Sequence, residues 1–158
     1  MKEVPLAIPA GYQVIIGQSH FIKTVEDIYE TLTTSVPGLA FGVAFSESSG
    51  KALIRSDGSD EAATELAIEF ASKIASGHSF VVVLKDAYPI NVLNRLKMVE
   101  EVANIFCATA NAITVVVAES GGGRAILGVV DGVSPRGVES DNDRNERREF
   151  LRKIVYKR

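Results

Sequence analysis

Gly77-His78-Ser79-Phe80-Val81-Val82-Val83-Leu84 is the stretch on which the fold turns. Its apolar run is short, rich in β-branched residues and opened by a glycine, so it reads as a strand buried on both faces. Such a strand lies inside a sheet. His78 then stands at the mouth of a central strand, where open α/β sheets place ligands. Gly77 allows close approach, Ser79 offers a hydroxyl and a backbone N–H, and imidazole can act as nucleophile or proton carrier near pH 7. Beside this stands the plainer and commoner role of a histidine at a strand end, a surface or capping residue.

Working outward from this strand, Ser59 or Asp60 starts a preceding helix. Its stripe Ala63, Leu66, Ala67, Phe70, Ala71 and Ile74 is the clearest helical pattern in the chain, and it stops at Gly77. After the strand, Pro89 reads as a first-turn residue, and Val92, Leu96, Val99 and Ala103 as the stripe of a further helix. Residues 105–108 form a short strand. Residues 113–118 and 125–130 are apolar runs joined by Gly121-Gly122-Gly123-Arg124, a hairpin expected to be buried on both faces. Towards the N-terminus, residues 4–8 and 12–16 are strands separated by the turn signal Pro9-Ala10-Gly11. Thr24 with Asp27 resembles a capping box, with Val25, Ile28, Tyr29 and Leu32 on one helical face up to Pro37-Gly38. Residues 41–45 make another strand, and a short hairpin runs through residues 51–55. The final segment, 142–155, is a charged helix carrying Phe150, Leu151, Ile154 and Val155. The expected fold is α/β, leaning towards α+β: a single domain over residues 1–158 with helices packed on a mixed β-sheet. Oligomer contacts are the alternative to helices as cover for some of the doubly apolar strands.

Composition excludes several classes. The 158 residues carry a net charge of −3, which gives no reason to expect nucleic-acid binding, and 46% of them are apolar. No apolar run approaches the roughly 20 residues that span a bilayer, so no membrane partner is expected. The N-terminus reads without a secretory h-region, which makes the cytoplasm the default location. A single cysteine, Cys107, excludes an internal disulfide and a cysteine-cluster metal site.

Several polar groups could carry chemistry. In the glycine-rich hairpin, Gly122 and Gly123 let backbone N–H groups converge on an anion, and Arg124 could grip a phosphate; a flexible loop with a solvated arginine is the alternative. It is not a P-loop, since the Gly-Lys-Ser/Thr ending is absent. Ser19, His20 and Lys23 lie where a strand runs into a helix, a setting that favours anions, or one where Thr24 simply caps the helix. Lys85 and Asp86 fall at the far end of the His78 strand. Thr109 and Asn111 suit ribose or base recognition and equally suit turns; Asp131 could accept a ribose hydroxyl or bind Mg²⁺, while Asp131-Gly132 alone is a common turn. Glu139, Asp141 and Asp143 read as caps of the last helix, with metal binding as the sharper alternative. The set together fits an anionic, polyhydroxylated ligand such as a nucleotide.

Six strings carry a family resemblance: Gly17-Gln18-Ser19-His20-Phe21-Ile22-Lys23-Thr24, Phe41-Gly42-Val43-Ala44-Phe45, Gly77-His78-Ser79-Phe80, Pro89-Ile90-Asn91-Val92-Leu93-Asn94, Ala108-Thr109-Ala110-Asn111, and Gly123-Arg124-Ala125-Ile126-Leu127-Gly128-Val129-Val130-Asp131-Gly132. In this order, over nearly the whole chain, the sequence resembles the adenosine-specific kinase family of archaea and bacteria. It departs at Ala112, where proline is expected, and at Ser46, where cysteine is expected. The resemblance implies adenine nucleotides (ATP, ADP or AMP) as ligands, phosphate carried on a histidine, and a homo-oligomer, with a trimer as the candidate count. His78 best matches the phosphorylated histidine, and His20 also lies in a matched motif. On this footing Arg124, Lys23 and the N–H groups around Ser79 and Gly122 would steady phosphate oxygens, and Asn111 and Asp131 would contact adenosine or ribose. Mg²⁺ is expected with phosphoryl transfer, through ligands the sequence does not identify. The alternative function is a non-catalytic adenine-nucleotide sensor.

Overall fold

Ser79–Lys85 is the middle strand of a five-stranded sheet, buried along all but its last residue. The computed structural model describes residues 1–158. In chain order the elements are β1 (Lys2–Leu6), β2 (Tyr12–Ser19), α1 (Thr24–Ser35), β3 (Ala40–Ser46), β4 (Ile54–Gly58), α2 (Glu61–Ile74), β5 (Ser79–Lys85), a 3-10 turn (Pro89–Asn91), α3 (Leu93–Lys97), β6 (Val102–Thr109), β7 (Ile113–Ser120), β8 (Gly123–Asp131) and α4 (Asp141–Lys153). Helix makes up 30% and strand 36% of an α/β fold of the α+β kind. The larger sheet has the order β4-β3-β5-β2-β6 and the smaller β1-β7-β8. Every pairing is antiparallel, so the strand ends near His78 are not the switch point of a parallel sheet.

Strand alternation divides the core. Val81 and Val83 of β5 face a cluster with Ala67, Phe70 and Ile74 of α2 and Val115 and Val117 of β7. Phe80, Val82 and Leu84 face the opposite cluster, with Ile28 and Leu32 of α1 and Leu96 of α3. The larger sheet is thus sandwiched between α1 and α3 on one face and α2 and the small sheet on the other. Asp60 caps α2 by accepting the Ala63 N–H at 2.9 Å, and its other oxygen meets Lys85 Nζ at 3.0 Å.

The strands on either side of Pro9-Ala10-Gly11 lie in different sheets: β1 pairs with β7, so the segment after it crosses between sheets. Three details differ from the sequence expectation. The helix with Val92, Leu96 and Val99 is short, and Ala103 belongs to β6, where pairing with β2 overrides helical periodicity. The β7–β8 hairpin buries one face; Val115 and Val117 point inward while Leu127 and Val130 on β8 stay exposed. Thr24 is no capping box: its hydroxyl donates to Phe21 O at 2.7 Å and His20 O at 3.2 Å, and Asp27 turns to Lys23. No helix is long and apolar enough to cross a membrane.

A Cβ on Gly42 would strike the α2 backbone at Ala63 and Thr64. Gly42→Ala therefore sets an overpacking loss of about 1–3 kcal/mol against a backbone-entropy gain of about 0.4–1 kcal/mol, and the loss wins. Denaturant unfolding should show Gly42→Ala destabilised, with Gly128→Ala, which has open space around it, close to the parent.

Candidate functional site

The chain leaves α2 through Ala75 in the left-handed conformation and enters β5 through Ser76-Gly77-His78. His78 has φ +60°, a conformation unusual for a non-glycine residue and worth roughly 1–3 kcal/mol of strain. Two main-chain bonds impose it. The His78 N–H donates to Ser46 O at 2.7 Å and the His78 carbonyl accepts the Ser19 N–H at 2.9 Å. The residue is thereby strung between the last residues of β3 and β2. Its half-buried ring stacks on Phe45, centroids 5.9 Å apart and planes 22° from parallel. That contact uses a ring face, so the nitrogens on the edge stay available to a ligand.

His78 and the exposed His20 line one cavity of about 480 Å³, walled by Phe21 and Ile22 on one side and by Phe45 and residues 47–50 on another. A second cavity of about 620 Å³ shares Glu47 and Ser48 with the first, and takes Ser76, Gly77, Gly123 and Arg124 as lining. The 47–53 loop divides the two. Its shape is fixed by Glu47, which accepts the Leu53 N–H at 2.8 Å and meets Arg55 at 2.9 Å. Those bonds, the Leu53 N–H first, hold the Glu47 carboxyl below its usual pKa.

Two cations expected to hold phosphate, Lys23 and Arg124, are already engaged. Lys23 Nζ lies 2.6 Å from Asp27 and 2.9 Å from Glu101, and the two carboxylates, Asp27 first, raise its pKa. The Arg124 guanidinium meets Glu119 at 3.1 Å and donates to Lys73 O at 3.2 Å and Ile74 O at 3.3 Å. Those carbonyls end α2, so Arg124 caps the helix and pins the hairpin loop to it. Gly121 and Gly122, with φ +58° and +83°, make the tight loop before β8. Ser79 is at the site, but its hydroxyl donates to Ser76 O at 2.6 Å and its N–H to the same oxygen at 3.2 Å. Ser19 is buried directly beside His78.

Thr109, Asn111 and Asp131 lie elsewhere. Thr109 pairs with Val14, towards the Lys85 end of the sheet, whereas His78 adjoins Ser19 at the other end. The three form their own network: Asp131 Oδ1 accepts Thr109 Oγ1 and Asn111 Nδ2, each at 2.9 Å. Within one chain they cannot share a ligand with His78 in the way the sequence suggested. Lys85 and Asp86 are likewise at the far end. Glu139 pairs with Arg147, and Asp143 closes a capping box with Ser140. No group of three or more His, Cys, Asp or Glu side chains is gathered to hold a metal. Burial pushes the Cys107 thiol up to about 11.

Glu101 carries no sequence signal, yet it is central. It is 3% exposed, its carbonyl accepts the His20 N–H at 3.0 Å, and its Oε2 has no partner. Ser19 Oγ and Ser46 Oγ, from the two residues bonded to the His78 backbone, are also buried without partners. Buried polar atoms are normally satisfied, so their concentration here marks a polar site.

A family profile described as adenosine specific kinase matches residues 4–157. The crystal structure of the PH1918 protein from Pyrococcus horikoshii OT3 is similar at 45% identity and a TM-score of 0.95, over 99% of this chain and 97% of that one. No curated protein matches the sequence.

The loop that separates the cavities depends on the missing side chain of Gly77, whose Cβ would lie 2.8 Å from Ser48 Cβ. Gly77→Ala should lose about 1–3 kcal/mol in urea unfolding, and Ser48→Gly in the same chain should recover part of it. Strictly additive losses would show that the two segments do not press on each other.

Proposed function

The chain belongs to the adenosine specific kinase family, and on that footing we propose that it moves a phosphoryl group between an adenine nucleotide and an acceptor by way of His78. The observation that supports this reading is His78 itself: held in a strained backbone conformation, stacked by one face, and lining a cavity with a second histidine. A neutral imidazole nitrogen attacks the γ-phosphorus of ATP; a P–N bond forms, the bond to the bridging oxygen breaks, and ADP leaves with that electron pair. An adenosine hydroxyl then attacks the same phosphorus, the P–N bond breaks, and the hydroxyl proton passes to the imidazole or to water. Histidine suits both steps because it is nucleophilic and also a good leaving group near neutral pH. Magnesium would arrive as the counter-ion of the nucleotide phosphates, with no side chains of this chain assigned to it. Such work belongs in the cytoplasm, where nucleotides are supplied.

One observation favours the second reading, a nucleotide sensor without turnover. Lys23 and Arg124 are both committed to carboxylates or helix carbonyls, which leaves little free positive charge for a transferring phosphate. Incubation with γ-labelled ATP separates the readings. The kinase reading expects acid-labile, base-stable label on the parent and on His20→Ala, none on His78→Ala, and a chase of label onto adenosine. Nucleotide binding without any label would establish the sensor.

The partner of the chain on this reading is a second copy of itself. Helix α4 buries none of its residues, and Phe150 and Val155 at its end are exposed, as are Leu127 and Val130 on the outer face of β8. An apolar helix end and an apolar sheet face on the same molecule suit mutual burial between copies. Light scattering should give a multiple of the chain mass, and removal of residues 141–158 should reduce it.

A further inference from the structure

Phe21 is bulky, 57% exposed, and has φ +77°. A large side chain is rarely found in that conformation, which glycine would adopt without strain. The backbone around it leaves no freedom. The preceding residue donates its N–H to Glu101 O at 3.0 Å, and the Phe21 carbonyl accepts Thr24 Oγ1 at 2.7 Å and Thr24 N–H at 3.1 Å. Thr24 and Glu101 are both buried. The peptide is therefore clamped on both sides, and neither hydrophobic cluster includes the ring. It lines the His78 cavity instead, together with Ile22, 42% exposed. An exposed aromatic ring held in a strained conformation at a cavity wall is more economically explained by a ligand than by packing.

We infer that Phe21 is the stacking platform for the purine of the nucleotide whose phosphate meets His78, an inference that rests on the nucleotide reading of this cavity. The base-recognition role expected of Asn111 and Asp131 thereby passes to an apolar lip at the His78 end of the sheet. A flat π-face beside His78 suits a purine, and a phenyl ring discriminates bases from base-free phosphates through stacking. Specificity between purines would then come from polar groups other than Phe21, since every base has a π-face.

The test compares ATP, adenosine and inorganic tripolyphosphate on the purified full chain by calorimetry, using Phe21→Ala, Phe21→Gly and Phe21→Trp. Phe21→Ala should weaken ATP and adenosine about tenfold or more while leaving tripolyphosphate unchanged, and Phe21→Trp should retain most of the affinity. Phe21→Gly should melt higher than Phe21→Ala, because it relieves the strain, yet bind ATP as weakly. Parent-like ATP and adenosine affinity in Phe21→Ala, or equal loss for tripolyphosphate and ATP, would overturn the stacking role while leaving the nucleotide reading intact. A parent protein that binds neither ATP nor adenosine would overturn both, and that outcome is distinct from the other two.

Discussion

The register of β5 between its neighbours is the constraint on which the site depends. Val82 lies opposite Ile15 on one side and Val43 on the other. A slip of one residue would exchange Val81 and Val83 with Phe80, Val82 and Leu84, sending each set into the wrong half of the core. With that register fixed, the residue just before β5 must fall between the last residues of β2 and β3. The backbone bonds of His78 to Ser19 and Ser46 continue the two ladders by one step beyond regular strand. The strained φ of His78 is thus imposed by the ladders of a buried sheet.

Charge at the site is arranged for position rather than for attraction. Lys23 sits between two carboxylates, so the trio carries a net negative charge. Arg124 neutralises a helix C-terminus and ties the small sheet to α2. A phosphate entering this region meets few uncommitted cations; a ligand that brings its own counter-ion suffers less from this than a bare anion. The unsatisfied oxygens of Glu101, Ser19 and Ser46 are acceptors or hydroxyl donors rather than anion traps.

Much of the architecture was legible from the sequence because local pattern and tertiary context agree there. The strand at β5, the α2 stripe and the Asp60 start are cases where period, turn residues and burial say the same thing. The α3–β6 boundary was not, because Val99 and Ala103 keep helical spacing while the backbone has already entered a ladder with β2. His78 was legible as a strand-mouth residue. Glu101 and Phe21 were not, since a buried carboxylate and a left-handed phenylalanine owe their roles to contacts distant in sequence. Asn111 and Asp131 looked like ligand-binding polar ends; the ladder directions carry them to the end of the sheet away from His78. The apolar pattern of β7 and β8 announced two buried faces, and one chain covers only one of them.

The small sheet also sets an order of events. Lys2 on β1 meets Glu119 on β7 across 117 positions of sequence, and β1 has no other strand to pair with. During synthesis β1 emerges before β7 and therefore waits, its main-chain donors and acceptors unpaired, until β7 has followed. The long loop closed by this pairing gives the small sheet a high contact order, the slowest kind of contact to form. Lys2, Glu3 and Pro5 are the kind of residues that keep a waiting edge from pairing with the wrong strand.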